Sequence, residues 1–129
     1  MAHPPLVELS PILQKRVAHL AVECGWKLVV LFGSTAQQGN GRDWDIAILP
    51  QEGVDLLTQG GWQQSLESLT APKPVDLVLI TDALSPLTRF EIFRNGQCLF
   101  ERDLGLFDRE RDRAFFLHAD SEWLRRRTW

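Results

Sequence analysis

The 129-residue chain predicts an α/β (α+β) fold, a small mixed sheet of three to four strands flanked by helices. Three short runs carry that prediction: KLVVLF at 27–32, DWDIAIL at 43–49 and VDLVLI at 75–80. Each is rich in β-branched or aliphatic residues and too short for a helix. Segments of helical spacing lie before, between and after them, in the order α-β-α-β-α-β-α-(β)-α. A composition of 44% hydrophobic and 24% charged residues is ordinary globular usage, which excludes wholesale disorder and collagen-like repeats.

The elements follow from local chemistry. Ser10 before Pro11 reads as an N-cap with proline at the first helical position. Ile12, Leu13, Val17, Leu20 and Ala21 then recur at helical spacing, so a helix is expected over 11–23, ended by Cys24-Gly25. The run at 27–32 is continuously apolar, as in a strand buried on both faces. A polar, Gly-punctuated stretch, TAQQGNGR, follows Gly33-Ser34. In 43–49 the alternation sets Asp43, Asp45 and Ala47 on one face and Trp44, Ile46 and Ile48 on the other. A helix over 54–69 is weakened by Gly60-Gly61, and Pro72 and Pro74 flank a turn. The run at 75–80 reads as a buried strand with Asp76 among apolar residues. A short helix over about 84–94 stops at Asn95-Gly96, Gln97–Glu101 forms a short strand, and the chain is helical from about Leu104. One domain is expected over 1–129, with a core at about 10–103 and a C-terminal helix at about 104–129.

Charge narrows the function. The net charge is −3, whereas a domain that binds phosphate backbones carries a basic surplus; no direct nucleic-acid partner is expected. Residues 101–129 hold seven arginines and seven carboxylates together with Phe107, Phe115, Phe116, Trp123 and Trp129. That density suits a helix laced by ion pairs, and its aromatics suit a docking or homo- or hetero-oligomer surface. The longest apolar run, Leu28–Phe32, is far short of the ~20 residues of a membrane span. MAHPPLVELS shows no basic n-region followed by an apolar stretch, and Cys24 and Cys98 are too few for a disulfide framework. A cytoplasmic protein with two buried thiols is therefore expected.

The chemistry concentrates in three aspartates at the starts of strands: Asp43, Asp45 and Asp76. A carboxylate in a strand needs a charged or hydrogen-bonding partner to offset desolvation. Asp43 and Asp45, roughly 6–7 Å apart on one strand face, repel each other, and a divalent cation removes that repulsion. Mg²⁺ accepts a few carboxylates, retained waters and substrate phosphates. Gly33 lets a phosphate approach the backbone, and the Ser34 hydroxyl and free N–H groups at a helix start hold anions. If 27–32 and 43–49 pair antiparallel, Gly33-Ser34 lies beside Asp43 and Asp45; Asp76 joins them if 75–80 runs parallel to 43–49.

LFGS at 31–34, DWDIAIL at 43–49 and VDLVLI at 75–80 together resemble the DNA polymerase beta-like nucleotidyltransferase superfamily, and within it the minimal nucleotidyltransferases. The resemblance covers roughly residues 26–100. It implies that Asp43, Asp45 and Asp76 are catalytic and hold two Mg²⁺ ions, with Asp76 helping to deprotonate the acceptor hydroxyl. It also implies that Gly33 and Ser34 position the triphosphate of ATP. Relatives of this kind act as antitoxins beside HEPN ribonuclease toxins, so the implied partner is a HEPN-type toxin that receives AMP on a hydroxyl. The segment TAQQGNGR is shorter than is usual in the family; Thr35 stands where many members carry arginine, and Arg42 where many carry serine. The alternatives are a non-catalytic nucleotide-binding or partner-inhibiting module, and nucleotidyl transfer to a small molecule such as an aminoglycoside. Arg113 and His118 match the R-x₄-H pattern of HEPN ribonucleases, but those are helical bundles and this chain carries strands.

Overall fold

The computed structural model describes residues 10–33 and 43–127. Its elements are α1 (Pro11–Cys24), β1 (Leu28–Phe32), β2 (Trp44–Leu49), α2 (Leu56–Thr70), β3 (Val75–Leu79), α3 (Pro86–Arg94), β4 (Gln97–Glu101) and α4 (Leu106–Arg127). The strands form one mixed sheet in the order β3-β2-β1-β4. β1 pairs antiparallel with both β2 and β4, and β2 pairs parallel with β3. The central strand β1 is the most apolar, and Leu28 to Leu31 are fully buried.

Alternation along the strands divides the core in two. Val29, Leu31, Ile46, Ile48 and Leu77 pack with Val17 and Ala21 of α1 and Leu66 of α2. Leu28, Val30 and Ala47 pack on the other face with Ile92 and Phe93 of α3 and Ala114 of α4. The face assignment expected for β2 holds residue by residue: Ile46 and Ile48 go one way and Ala47 the other. Fully burying such a side chain contributes about 1.5–3 kcal/mol, so both helix pairs are held chiefly by these contacts.

Capping follows the sequence closely. Ser10 occupies the N-cap of α1 without a side-chain hydrogen bond, and Pro11 opens the helix. Gly25 closes it in the left-handed conformation, φ 74°, and the Trp26 N–H reaches back to the Ala21 carbonyl at 2.9 Å. α2 starts at Leu56, later than expected, because the Asp55 carboxylate caps it by accepting from the Thr58 N–H at 2.7 Å. Its two glycines are tolerated because packing outweighs propensity: Trp62 meets the buried Trp26 edge-on at 5.3 Å between ring centroids.

Gly96 and the two cysteines depart from the sequence expectation, and Arg89 is a buried charge that the sequence did not single out. α3 does end before Asn95-Gly96, yet neither residue has positive φ. A side chain at Gly96 would overlap the Ile92 carbonyl oxygen and stand 2.6 Å from Val30 Cγ1, so close packing against β1 explains the glycine. Arg89, on the polar-looking helix PLTRFEIFR, is only 3% exposed. It donates from Nη2 to the Thr81 carbonyl at 2.6 Å and faces the Glu110 carboxylate at 3.8 Å; burial holds its pKa below the ordinary arginine value. Cys24 and Cys98 are free but half-buried rather than buried, and burial pushes the Cys98 thiol up to about 11.

α4 crosses α3. His118 stacks on Phe90 at 4.1 Å, and Arg113 pairs with Asp82 at 3.7 Å, so both residues of the R-x₄-H pattern make contacts that join elements. Phe116 and Trp123 are 70% and 53% exposed on this helix. No helix among the described residues is long and apolar enough to cross a membrane.

Candidate active site

The strand pairings bring the sequence motifs to one rim of the sheet. Phe32, the last residue of β1, lies opposite Asp45, the second residue of β2. Asp45 in turn lies level with Asp76, the second residue of β3. The end of β1 and the starts of β2 and β3 therefore meet, with Gly33 between the chain reversal and the carboxylates. Ser34 and the segment TAQQGNGR fall outside the described residues.

Gly33 is fixed by two independent demands. Its φ of 74° is a conformation that side chains disfavour. A Cβ there would overlap Asp45 Oδ2 and stand 3.0 Å from Asp45 Cγ. The carboxylate of Asp45 thus occupies the space that a side chain at position 33 would need.

The three aspartates differ in setting. Asp45 is half-buried, while Asp43, at the bend before β2, and Asp76 are exposed. The exposure of Asp76 corrects the expectation of a buried carboxylate. Its strand neighbours Val75 and Leu77 turn into the core, and at this end of β3 the opposite face faces solvent. Burial is the main cause that raises the Asp45 pKa above its ordinary value. Repulsion from Asp76 and then Asp43 adds to it, as does the hydrogen bond that protonated Asp45 donates to Asp76. The parallel register sets Asp45 level with Asp76 on adjacent strands, and Asp43 is close enough to act on Asp45 through its charge. Among the described residues no three acidic, histidine or cysteine side chains already close into a metal-ligand cluster. Asp45 and Asp76, level on adjacent strands, are nonetheless a donor set of the kind Mg²⁺ uses, since that ion binds through one or two carboxylates and takes its other oxygens from water and phosphate.

α2 and the turn after it hold the rim. The Trp44 N–H donates to the Pro74 carbonyl at 2.9 Å, tying β2 to the start of β3. Glu67 Oε2 accepts from the Val75 N–H at 3.1 Å, and Gln63 Nε2 donates to the Val75 carbonyl at 3.3 Å. Thr70 Oγ1 donates to the Lys73 carbonyl at 2.9 Å and closes the turn. Sequence reasoning did not single out Gln63, Glu67 or Thr70. The available signal was their i, i+4, i+7 spacing, which sets three polar groups on one helix face just before a strand.

Residues 15–104 match the family described as polymerase beta, nucleotidyltransferase. The chain belongs to that family. Its fold is also that of solved toxin–antitoxin structures. One, a toxin–antitoxin with AMP-PNP, is 21% identical with a TM-score of 0.74, covering 88% of this chain and 92% of that one. A second contains tri-AMPylated Shewanella oneidensis HEPN toxin with its MNT antitoxin; identity is 20%, the TM-score 0.71, and coverage 89% and 91%. A third, the toxin–antitoxin MntA-HepT, is 18% identical with a TM-score of 0.72 and coverage of 91% and 93%. No curated protein sequence matches the chain. As a member of the family, the nucleotidyltransferase is an enzyme by descent of its domain, and its carboxylate rim stands where β1, β2 and β3 converge.

Proposed function

We propose that this nucleotidyltransferase moves AMP from ATP to a hydroxyl of a partner protein, releasing pyrophosphate, and that the partner is a HEPN-type toxin which it neutralises. The observation that carries the reading is that Asp45 and Asp76 stand level on adjacent strands, with the Asp45 carboxylate against Gly33. The antitoxin role is supported by the shared fold of the MntA and MNT structures, one of them with an AMPylated toxin.

Asp45, Asp76 and Asp43 are assigned as ligands of Mg²⁺. Bound there, the ion supplies charge neutralisation to the triphosphate and to the oxygens that gain charge in the displacement. Gly33 leaves room for the Asp45 carboxylate against the backbone, and Gly33 and Ser34 are assigned to position the phosphates. Asp76, more exposed than Asp45, is assigned to accept the proton of the attacking hydroxyl. Catalysis of this kind rests on positioning and electrostatics and needs no covalent intermediate on the protein. Docking is assigned to α4, whose exposed Phe116 and Trp123 sit among ion pairs such as Arg111–Asp108.

The test is incubation of the protein with α-labelled ATP, Mg²⁺ and a HEPN-type toxin. Label should pass to the toxin, and Asp43→Asn with Asp45→Asn should abolish transfer while leaving the complex intact. Transfer by the double variant refutes the catalytic assignment; a complex that forms and inhibits without any transfer points to the non-catalytic module. Label on an aminoglycoside, with none on protein, would replace the acceptor class.

A further inference from the structure

β3 is an edge strand, and edges fray unless something occupies their outward backbone groups. In a parallel pair, alternate residues direct their N–H and C=O to the neighbouring strand. Trp44 donates to the carbonyl of Pro74, so Pro74 faces β2 and Val75, one residue on, faces away from it. Among the described residues no strand follows on the outward side. Both outward groups of Val75 are nevertheless satisfied, and by side chains of one helix: Glu67 takes the N–H and Gln63 supplies the carbonyl with a donor. These two residues are one helical turn apart and half-buried. Asp76 is the next residue.

We propose that Glu67 and Gln63 are positioning residues of the active site, which clamp Val75 from the open edge and thereby fix Asp76 beside Asp45. The inference deepens the proposed function, on which its kinetic arm rests. Side chains thus supply the pattern that a fifth strand would have supplied, at the residue just before Asp76. Asp76 itself is exposed at this edge. The arrangement depends on donor and acceptor identity, not on charge. A glutamine at 67 still offers an oxygen to the Val75 N–H, whereas a glutamate at 63 has no donor for the Val75 carbonyl.

That asymmetry is the test. Glu67→Gln should keep at least half of kcat, whereas Glu67→Leu and Gln63→Glu should each lower it about tenfold or more through misplacement of Asp76. The KM for ATP should change much less than kcat in the two disruptive variants, because Gly33, Ser34 and the ion held also by Asp43 and Asp45 keep their assigned hold on the triphosphate. In the protein without nucleotide, amide exchange at Val75 and Asp76 should accelerate at least tenfold in the two disruptive variants and stay unchanged in Glu67→Gln, with the buried β1 amides unaffected. A purely structural role would instead raise exchange throughout the sheet and lower the melting temperature without splitting kcat from KM. Loss of activity in Glu67→Gln equal to that in Glu67→Leu overturns the proposal, since the carboxylate itself would then be needed. Unchanged exchange at Asp76 in both disruptive variants overturns it as well. A wild-type protein that transfers no label refutes the proposed function, while the exchange arm still decides the clamp.

Discussion

Gly33→Ala separates the stability of this fold from its chemistry. Two costs act on the fold. A left-handed conformation costs a non-glycine residue about 1–2 kcal/mol. The added methyl would also overlap Asp45 Oδ2 and stand 3.0 Å from Cγ, closer than the ~3.5–4.0 Å at which carbon atoms pack best. That second cost is small for the fold, because the overlapped atom is the tip of a side chain at an open rim and can swing away. The expected loss of stability is therefore about 1–2 kcal/mol, or a fall in melting temperature of about 4–8 °C. The chemistry pays more. To escape the methyl, the Asp45 carboxylate must move by about 1 Å, and a displacement of that size costs about 100-fold in rate. Thermal unfolding and transfer of α-labelled AMP, measured on the same preparation, check both numbers. A folded variant with wild-type transfer would show that Asp45 need not stay where it is, and the argument from Gly33 would fail; global unfolding would show that the strain had been underestimated.

Asp45→Asn should stabilise the nucleotide-free protein while abolishing transfer. Folding raises the Asp45 pKa above its ordinary 3.8, so the native state holds this proton more tightly; stability is full below that value and falls as pH rises through it toward the folded one. Solvent at the half-exposed rim limits the gain to about 1 kcal/mol or less; a melting-temperature advantage of the variant at pH 7 that vanishes near pH 3 is expected, and a lower melting temperature at pH 7 contradicts it. Arg89→Ala should cost about 3 kcal/mol in chemical denaturation, because it leaves the largely buried Glu110 carboxylate and the Thr81 carbonyl without their cation; a loss under 1 kcal/mol would show the contact to be idle. Cys98, with its thiol pushed up to about 11, should be alkylated slowly by iodoacetamide at pH 8 and progressively faster toward pH 11, as followed by intact mass.

The legible part of the fold was the part in which neighbouring residues alternate or recur. Trp44 to Ile48 announces two faces by itself, and the continuous run Leu28 to Leu31 announces a strand covered on both sides. The carboxylate rim was legible because aspartate at a strand start is unfavourable without a purpose. What stayed hidden depends on partners distant in sequence. Nothing near Arg89 reveals that Thr81 and Glu110 will receive it in the interior. Gly96 looks like a turn glycine, and only the approach of Val30 shows that it is a packing glycine. Gln63 and Glu67 look like solvent-facing helix residues until the outward groups of Val75 are placed against them. The exposure of Asp76 was missed for a related reason: apolar flanks reveal a strand's membership in a sheet, but not where the helical cover stops.

The hairpin ladder from Leu28–Leu49 to Phe32–Asp45 behaves as a ruler. Its five rungs set the distance from Gly33 to Asp45 without reference to residues 34–42, so lengthening or trimming that connection leaves the acidic trio in register. The connection can therefore vary in length without changing which residues of β1 and β2 face each other.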